Sequence, residues 1–147
     1  MNELGITFAK MMDILHELAL SLTQEQDLLS EGQVNAALLH RVTENKNEQL
    51  ATLQYLDHQR ESLEKLSGVS RPPYDDNPAL KQQWQTIMDM TEQLKQHNYR
   101  NGLLLAQHLV LNQQMLSLLE QHQTQRRLYG PDGQACTGQI LGRKISV

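Results

Sequence analysis

The residues of this chain best suited to bind a metal ion are its six histidines, His16, His40, His58, His97, His108 and His122. A zinc site on a helix needs two imidazole rings on one helical face, and no pair here has such a spacing. Asp13 and His16 match one half of a di-iron motif, which requires a second half and two further carboxylates. The sequence therefore predicts no metal site.

The one candidate nucleophile is Cys136, the only cysteine of the chain. Neighbouring residues offer no histidine that could activate its thiol. A single cysteine also excludes an internal disulfide, which fits a reducing compartment. The glycines of the C-terminal region, at 130, 133, 138 and 142, are dispersed and precede no predicted helix, so they form no phosphate-binding loop. We therefore predict no catalytic residue and no cofactor, and the chain is not expected to be an enzyme.

The distribution of charge argues against a nucleic-acid partner. The chain carries a net charge of -4, although four basic residues and only one acidic residue follow position 125. Nucleic-acid-binding proteins usually present a dense basic patch, often with aromatic side chains for stacking. At the N-terminus charged and apolar residues alternate, unlike a signal peptide, and no stretch approaches the roughly 20 apolar residues that span a bilayer. A cytoplasmic location is expected.

Two N-terminal segments have the apolar spacing of helices. In the first, about 2–31, steps of three and four define a coiled-coil seam in which Glu25 fills the one gap between apolar residues. The apolar residues of this seam are Leu4, Phe8, Met11, Leu15, Leu18, Leu22 and Leu29. The second, about 35–66, begins at Asn35, a good N-cap residue. Lys46 and Arg60 fall on its seam, where we expect their stems to cover apolar surface while their charged groups reach water.

A third helix is predicted over about 78–123. The sequence 67–77 interrupts the helical pattern with Pro72-Pro73, and Asn77-Pro78 then has the pattern of an N-cap followed by proline at the first helical position. The seam of this helix is polar in its middle, and leucines flank it over 103–119. Two interpretations remain open: this helix is buried between the other two, or it offers an apolar face to a partner helix.

We expect an all-α fold. The short link at residues 33–34 favours an antiparallel return, so residues 1–127 are predicted to form a long antiparallel helical hairpin or bundle of about three helices. Residues 128–147 contain four glycines and lack helical periodicity, which indicates a flexible tail. Tyr129 in this tail is either a short docking element or an aromatic residue that folds back on the bundle.

Three stretches resemble the FlgN family. Residues 25–63 are similar to its pattern of a leucine pair, a small-residue break and a polar helix rich in leucine. Residues 97–119 contain Asn-Gly-Leu-Leu, beginning at Asn101, followed later by Asn112, as in the family. The sequence LYGPDG at 128–133 and the ending GRKISV at 142–147 are similar to the tail of the family. The resemblance covers nearly the whole chain.

The resemblance implies a function in flagellar assembly. Members of the family are cytoplasmic chaperones of flagellar type III export, which bind the C-terminal helical region of hook–filament junction (hook-associated) proteins and deliver them to the export gate. Association with the membrane export apparatus would be peripheral, through protein contacts only. By resemblance Tyr129 docks to the gate, and the client-binding residues are Asn101, Leu104, Leu105, Leu111, Asn112, Met115, Leu118 and Leu119. The alternative function is a non-enzymatic coiled-coil adaptor or scaffold subunit.

Overall fold

The chain folds into three α-helices without a strand in the part that the computed structural model describes, residues 3–69 and 71–128, with side chains up to residue 125. Helix α1 is Glu3–Ser30, α2 is Ala36–Ser67 and α3 is Pro78–Leu128. The prediction of an all-α fold of three helices is confirmed. The expected tail lies outside the described residues from position 129 onwards. The chain divides into two compact units, residues 1–104 and 105–147, and α3 contributes to both.

The helix ends follow from local capping. Asn35 precedes α2 with an extended backbone, and its side-chain oxygen accepts a hydrogen bond from the Leu38 amide at 3.2 Å. At the other end of α2, Gly68 adopts φ 66°, a left-handed conformation that glycine tolerates, and its amide donates to the Glu64 carbonyl. Asn77 caps α3 in the same way as Asn35 caps α2, by accepting from the Leu80 amide at 3.3 Å.

The unit of residues 1–104 is built on the apolar seam of α1. All seven seam residues predicted for α1 are buried. Contacts between Glu25 and Lys46, and between Ser21 and Gln49, show that α2 returns antiparallel to α1. The first half of α3 runs parallel to α1, because its beginning packs near the start of α1 and Asn101 bonds to the Leu22 carbonyl. The core of this unit therefore lies where α2 and the first half of α3 pack against α1.

Aromatic side chains close the end of the core at which α3 begins. The rings of Phe8, Tyr74 and Trp84 lie with centroids 5.4 to 5.8 Å apart, and the Phe8–Tyr74 and Tyr74–Trp84 pairs meet edge to face. Phe8 and Tyr74 are fully buried. Such pairs add to the free energy of burial. The loop before α3 is thereby anchored to α1, which defines where the third helix starts.

The hydroxyl group of Tyr74 connects this aromatic cluster to α2. It donates to Glu64 and accepts a hydrogen bond of 3.1 Å from Arg60. Burial raises the pKa of Tyr74 above its usual range, and the hydrogen bond to Glu64 acts in the same direction. The hydroxyl therefore stays protonated at neutral pH and can donate continuously to the Glu64 carboxylate.

Candidate functional site

The second unit, from residue 105, presents apolar side chains to solvent. Every side chain from 110 to 125 is exposed. Leu111, Met115 and Leu118 are 55%, 61% and 62% exposed, whereas the apolar seam residues of α1 are buried. Single exposed leucines are common on proteins, whereas a group of them on one helix marks an interaction surface.

Helical spacing places these side chains on one broad face. Residues three, four and seven positions apart lie on the same side of an α-helix. One stripe contains Leu111, Met115 and Leu118, and an adjacent stripe has members at positions 105, 109, 112, 116 and 119. We call the apolar members the α3 face: Leu105, Leu109, Leu111, Met115, Leu116, Leu118 and Leu119. Glutamines at 107, 113, 114 and 121 occupy the opposite side.

The structure separates the predicted client-binding residues into three groups. Asn101 is buried, and Leu104 and Leu105 are half-buried. The exposed residues are Leu111, Asn112, Met115, Leu118 and Leu119. Tyr129, predicted to dock to the export gate, lies outside the described residues. Within the second unit, the five exposed candidates are therefore brought together on one side of one helix, beside Leu105.

Two members of the α3 face, Leu109 and Leu116, were absent from the predicted site. They are seven residues apart and share a stripe with Leu105 and Leu119. The repeat of leucine at this spacing was visible in the sequence. The predicted site came from the resemblance to the family, which did not include these two leucines.

Asn101 belongs to a polar cluster inside the first unit. Its side-chain amide donates to the Leu22 carbonyl and to one Glu25 oxygen, each at 2.9 Å. Lys46 binds the other Glu25 oxygen at 2.9 Å and also donates to Asn98 at 3.0 Å. Because both carboxylate oxygens of Glu25 are used, the cluster ties the three helices to one another at this level. The Asn101 side chain is therefore committed to the bundle.

Arg60 differs from the expectation that its charged group reaches water. Its guanidinium is buried, donates to Asp57 at 2.8 Å and to Glu64 at 2.6 Å, and lies 4.7 Å from the centre of the Trp84 ring. Lys46 likewise has only 13% of its side chain exposed. Acidic partners and a ring face replace the water that these cations would lose, which is why they can occupy seam positions.

The described residues show no arrangement for metal binding. In residues 3–69 and 71–128, no group of three or more histidine, cysteine, aspartate and glutamate side chains could hold a metal ion. Over the same residues, none of the helices is both long and apolar enough to cross a bilayer.

The fold and the α3 face together define a class of protein: an all-helical chain with a closed three-helix unit and a long helix that presents exposed apolar side chains. The family model for the FlgN protein matches residues 1–137. The chain belongs to the FlgN family.

Relatives of similar length support this assignment. The flagella synthesis protein FlgN of Yersinia enterocolitica is 40% identical over 99% of this chain and 98% of its own length. Those of Salmonella typhimurium and Escherichia coli are 39% and 37% identical, and each alignment covers the whole of both chains. No solved structure matches the chain.

Proposed function

We propose that this protein is a cytoplasmic export chaperone for the hook–filament junction proteins of the flagellum. It binds their C-terminal helical region, prevents premature assembly and delivers them to the type III export gate. The observation that carries the proposal is the α3 face, whose members from Leu111 to Leu119 are exposed and can receive an amphipathic helix. Membership of a family of flagella synthesis proteins supports the flagellar context.

The proposed mechanism is the temporary covering of an apolar helical face. A client segment that assembles through helical seams exposes those seams while it is unassembled, and exposed seams aggregate. The α3 face replaces the missing partner. Asn112 lies within it, and a polar residue at an apolar seam lowers stability and favours partners with a matching polar group. Such an interface combines selectivity with release.

Co-expression with a junction protein tests the proposal. We expect the two proteins to co-elute in size-exclusion chromatography as a complex that is absent when the C-terminal helical region of the client is deleted. A junction protein lacking an unrelated internal domain is the matched control and should still bind. Elution of the full-length client apart from the chaperone would contradict the proposal.

Tyr129 is proposed to dock the chaperone to the export gate, with association at the membrane through protein contacts only. We expect Tyr129→Ala to leave client binding unchanged and to reduce export of the junction proteins, because truncation removes an aromatic hot-spot side chain outside the α3 face. Secretion of the junction proteins into the culture medium provides the measurement. Tyr129→Phe, which keeps the ring, serves as the control. Normal secretion with Tyr129→Ala would exclude the docking role.

A further inference from the structure

A groove lies between α2 and the first half of α3, entirely within the unit of residues 1–104. It consists of two adjoining cavities of about 250 Å³ and about 330 Å³. Leu50, Leu53 and Thr91 line both cavities, so the two form one continuous depression. Buried residues of α1, among them Met11 and Leu15, form its floor. We call this depression the α2–α3 groove.

The rims of the α2–α3 groove carry apolar side chains that the described part of the chain leaves exposed. Leu50 on α2 is 42% exposed and Met88 on α3 is 38% exposed. Between them, Leu53 and Leu94 are half-buried and complete a mainly leucine-lined wall. The lining has the composition of the partner-binding grooves that accept one face of an amphipathic helix.

The two ends of the groove differ in charge. At one end, Lys46 is paired with Glu25, whereas Lys95 is exposed and forms no ion pair among the described residues. At the other end the charged lining residues are Asp57 and Arg60, which pair with each other at 2.8 Å. The groove therefore has an unpaired cation, Lys95, at one end, whereas the charged lining residues at the Arg60 end neutralise each other.

This charge pattern matches an α-helix in one orientation. A helix carries partial positive charge at its N-terminus and partial negative charge at its C-terminus, so its N-terminus would lie at the Arg60 end. The distance from Lys46 to Arg60 along α2 is about 21 Å at 1.5 Å per residue. An occupant of about four helical turns would fill that length.

We infer that the α2–α3 groove binds an amphipathic helix of the client, in addition to the helix received by the α3 face. Its apolar side faces Leu50 and Leu53, an acidic side chain near its C-terminus pairs with Lys95, and it runs antiparallel to α2. The identity of the occupant as a client helix rests on the proposed function. A client held at two separate sites is bound more tightly than by either site alone, because the second contact is intramolecular.

Two substitutions in the full chain test the groove, with the purified C-terminal helical region of a junction protein as the probe. Leu50→Asp should weaken binding, measured by isothermal titration calorimetry, by at least about tenfold, because it places a carboxylate on the apolar wall. Leu38→Asp is its matched control on the same helix, 44% exposed and outside the groove, and should change affinity less than about twofold.

The charge of the groove is tested separately. Lys95→Glu should weaken binding by about fivefold or more and reduce its dependence on salt, because it reverses the unpaired cation. Lys10→Glu makes the same charge change at an exposed position of α1 outside the groove and should leave affinity unchanged. Because Lys95 is exposed, its substitution should not disturb folding, and it therefore tests the groove even if Leu50→Asp fails to fold.

The outcomes distinguish the groove from the proposed function. Parental affinity in both groove variants, together with lost binding in a variant of the α3 face, would overturn the groove and leave the chaperone function standing. Parental affinity in all these variants would contradict both the groove site and the proposed chaperone function. A third outcome is that the groove variants keep client affinity but sediment differently from the parental chain when no client is present. That result would show that the groove holds a second copy, and it would also overturn the inference.

Discussion

Replacing Leu111 or Leu118 by aspartate is expected to abolish co-purification of the junction protein, while the helix content of the free protein stays at its parental value. Both side chains are more than half exposed, so their removal takes little from the packing of the free protein. In the complex, however, the new carboxylate would lie in an apolar interface without a partner. Such a change at a central position costs at least about 2 kcal/mol of binding free energy, or roughly a thirtyfold loss of affinity.

The matched control is Gln113→Asp, an exposed residue on the opposite side of the same helix. It introduces the same charge into the same element, so it reproduces any general effect of aspartate on α3. Pull-down of the client with each variant, with circular dichroism of the free proteins, provides the comparison. Equal client recovery from Leu111→Asp, Leu118→Asp and Gln113→Asp would show that the α3 face does not bind the client.

Arg60→Ala is expected to lower the free energy of unfolding by about 3 kcal/mol, because removing one partner of a buried ion pair leaves the other charge uncompensated. Glu64, with only 11% of its side chain exposed, would lose its guanidinium partner. Tyr74 would lose a hydrogen-bond donor, and the face of the Trp84 ring would lose its cation. Urea denaturation at neutral pH measures the change.

Lys81→Ala is the control for Arg60→Ala. Lys81 pairs with Asp75 at 3.0 Å, but both side chains are more than half exposed. An exposed ion pair of this kind contributes less than about 1 kcal/mol. If the two variants were destabilised equally, burial of Arg60 would have no special importance for the fold.

Much of the fold could be predicted because local signals determine it. Every apolar seam residue of α1 that was named from its spacing is buried. A regular apolar stripe on a helix is stable in water when other helices cover it. The start of α3 at Pro78 was visible in the Asn-Pro pair. The end of α2 was less clear, but glycine at position 68 supplies the left-handed residue on which it terminates.

The partners of the polar seam residues could not be predicted. Lys46 and Arg60 were expected to extend to water, yet Lys46 pairs with Glu25 of another helix and Arg60 bonds to Tyr74 in the proline-containing loop before α3. Periodicity assigns a residue to a face but does not say which residue of another helix lies opposite. Asn101 shows the same limit, because the resemblance to the family suggested a client-binding residue and its bonds to α1 were not visible in the sequence.

The sequence predicted which residue types form the candidate site, but it did not predict how much of the site is exposed. Leucines and an asparagine between 105 and 119 indicated an apolar helix, but two interpretations were open, burial between the other helices or exposure to a partner. Those interpretations differ only in how far the other helices reach, which no local pattern encodes. The exposure of residues 110–125 favours the second interpretation.

Residues 110–125 of α3 obtain little helical stability from tertiary packing, because all their side chains are exposed. Helical segments of about this length are marginal in water when only their own backbone hydrogen bonds support them. Few tertiary contacts therefore oppose the opening of these turns in the free protein. A client that binds here must also order the segment, which lowers affinity for a given buried area. Fraying of this segment would thus keep a large apolar contact reversible, as the proposed release of a client requires.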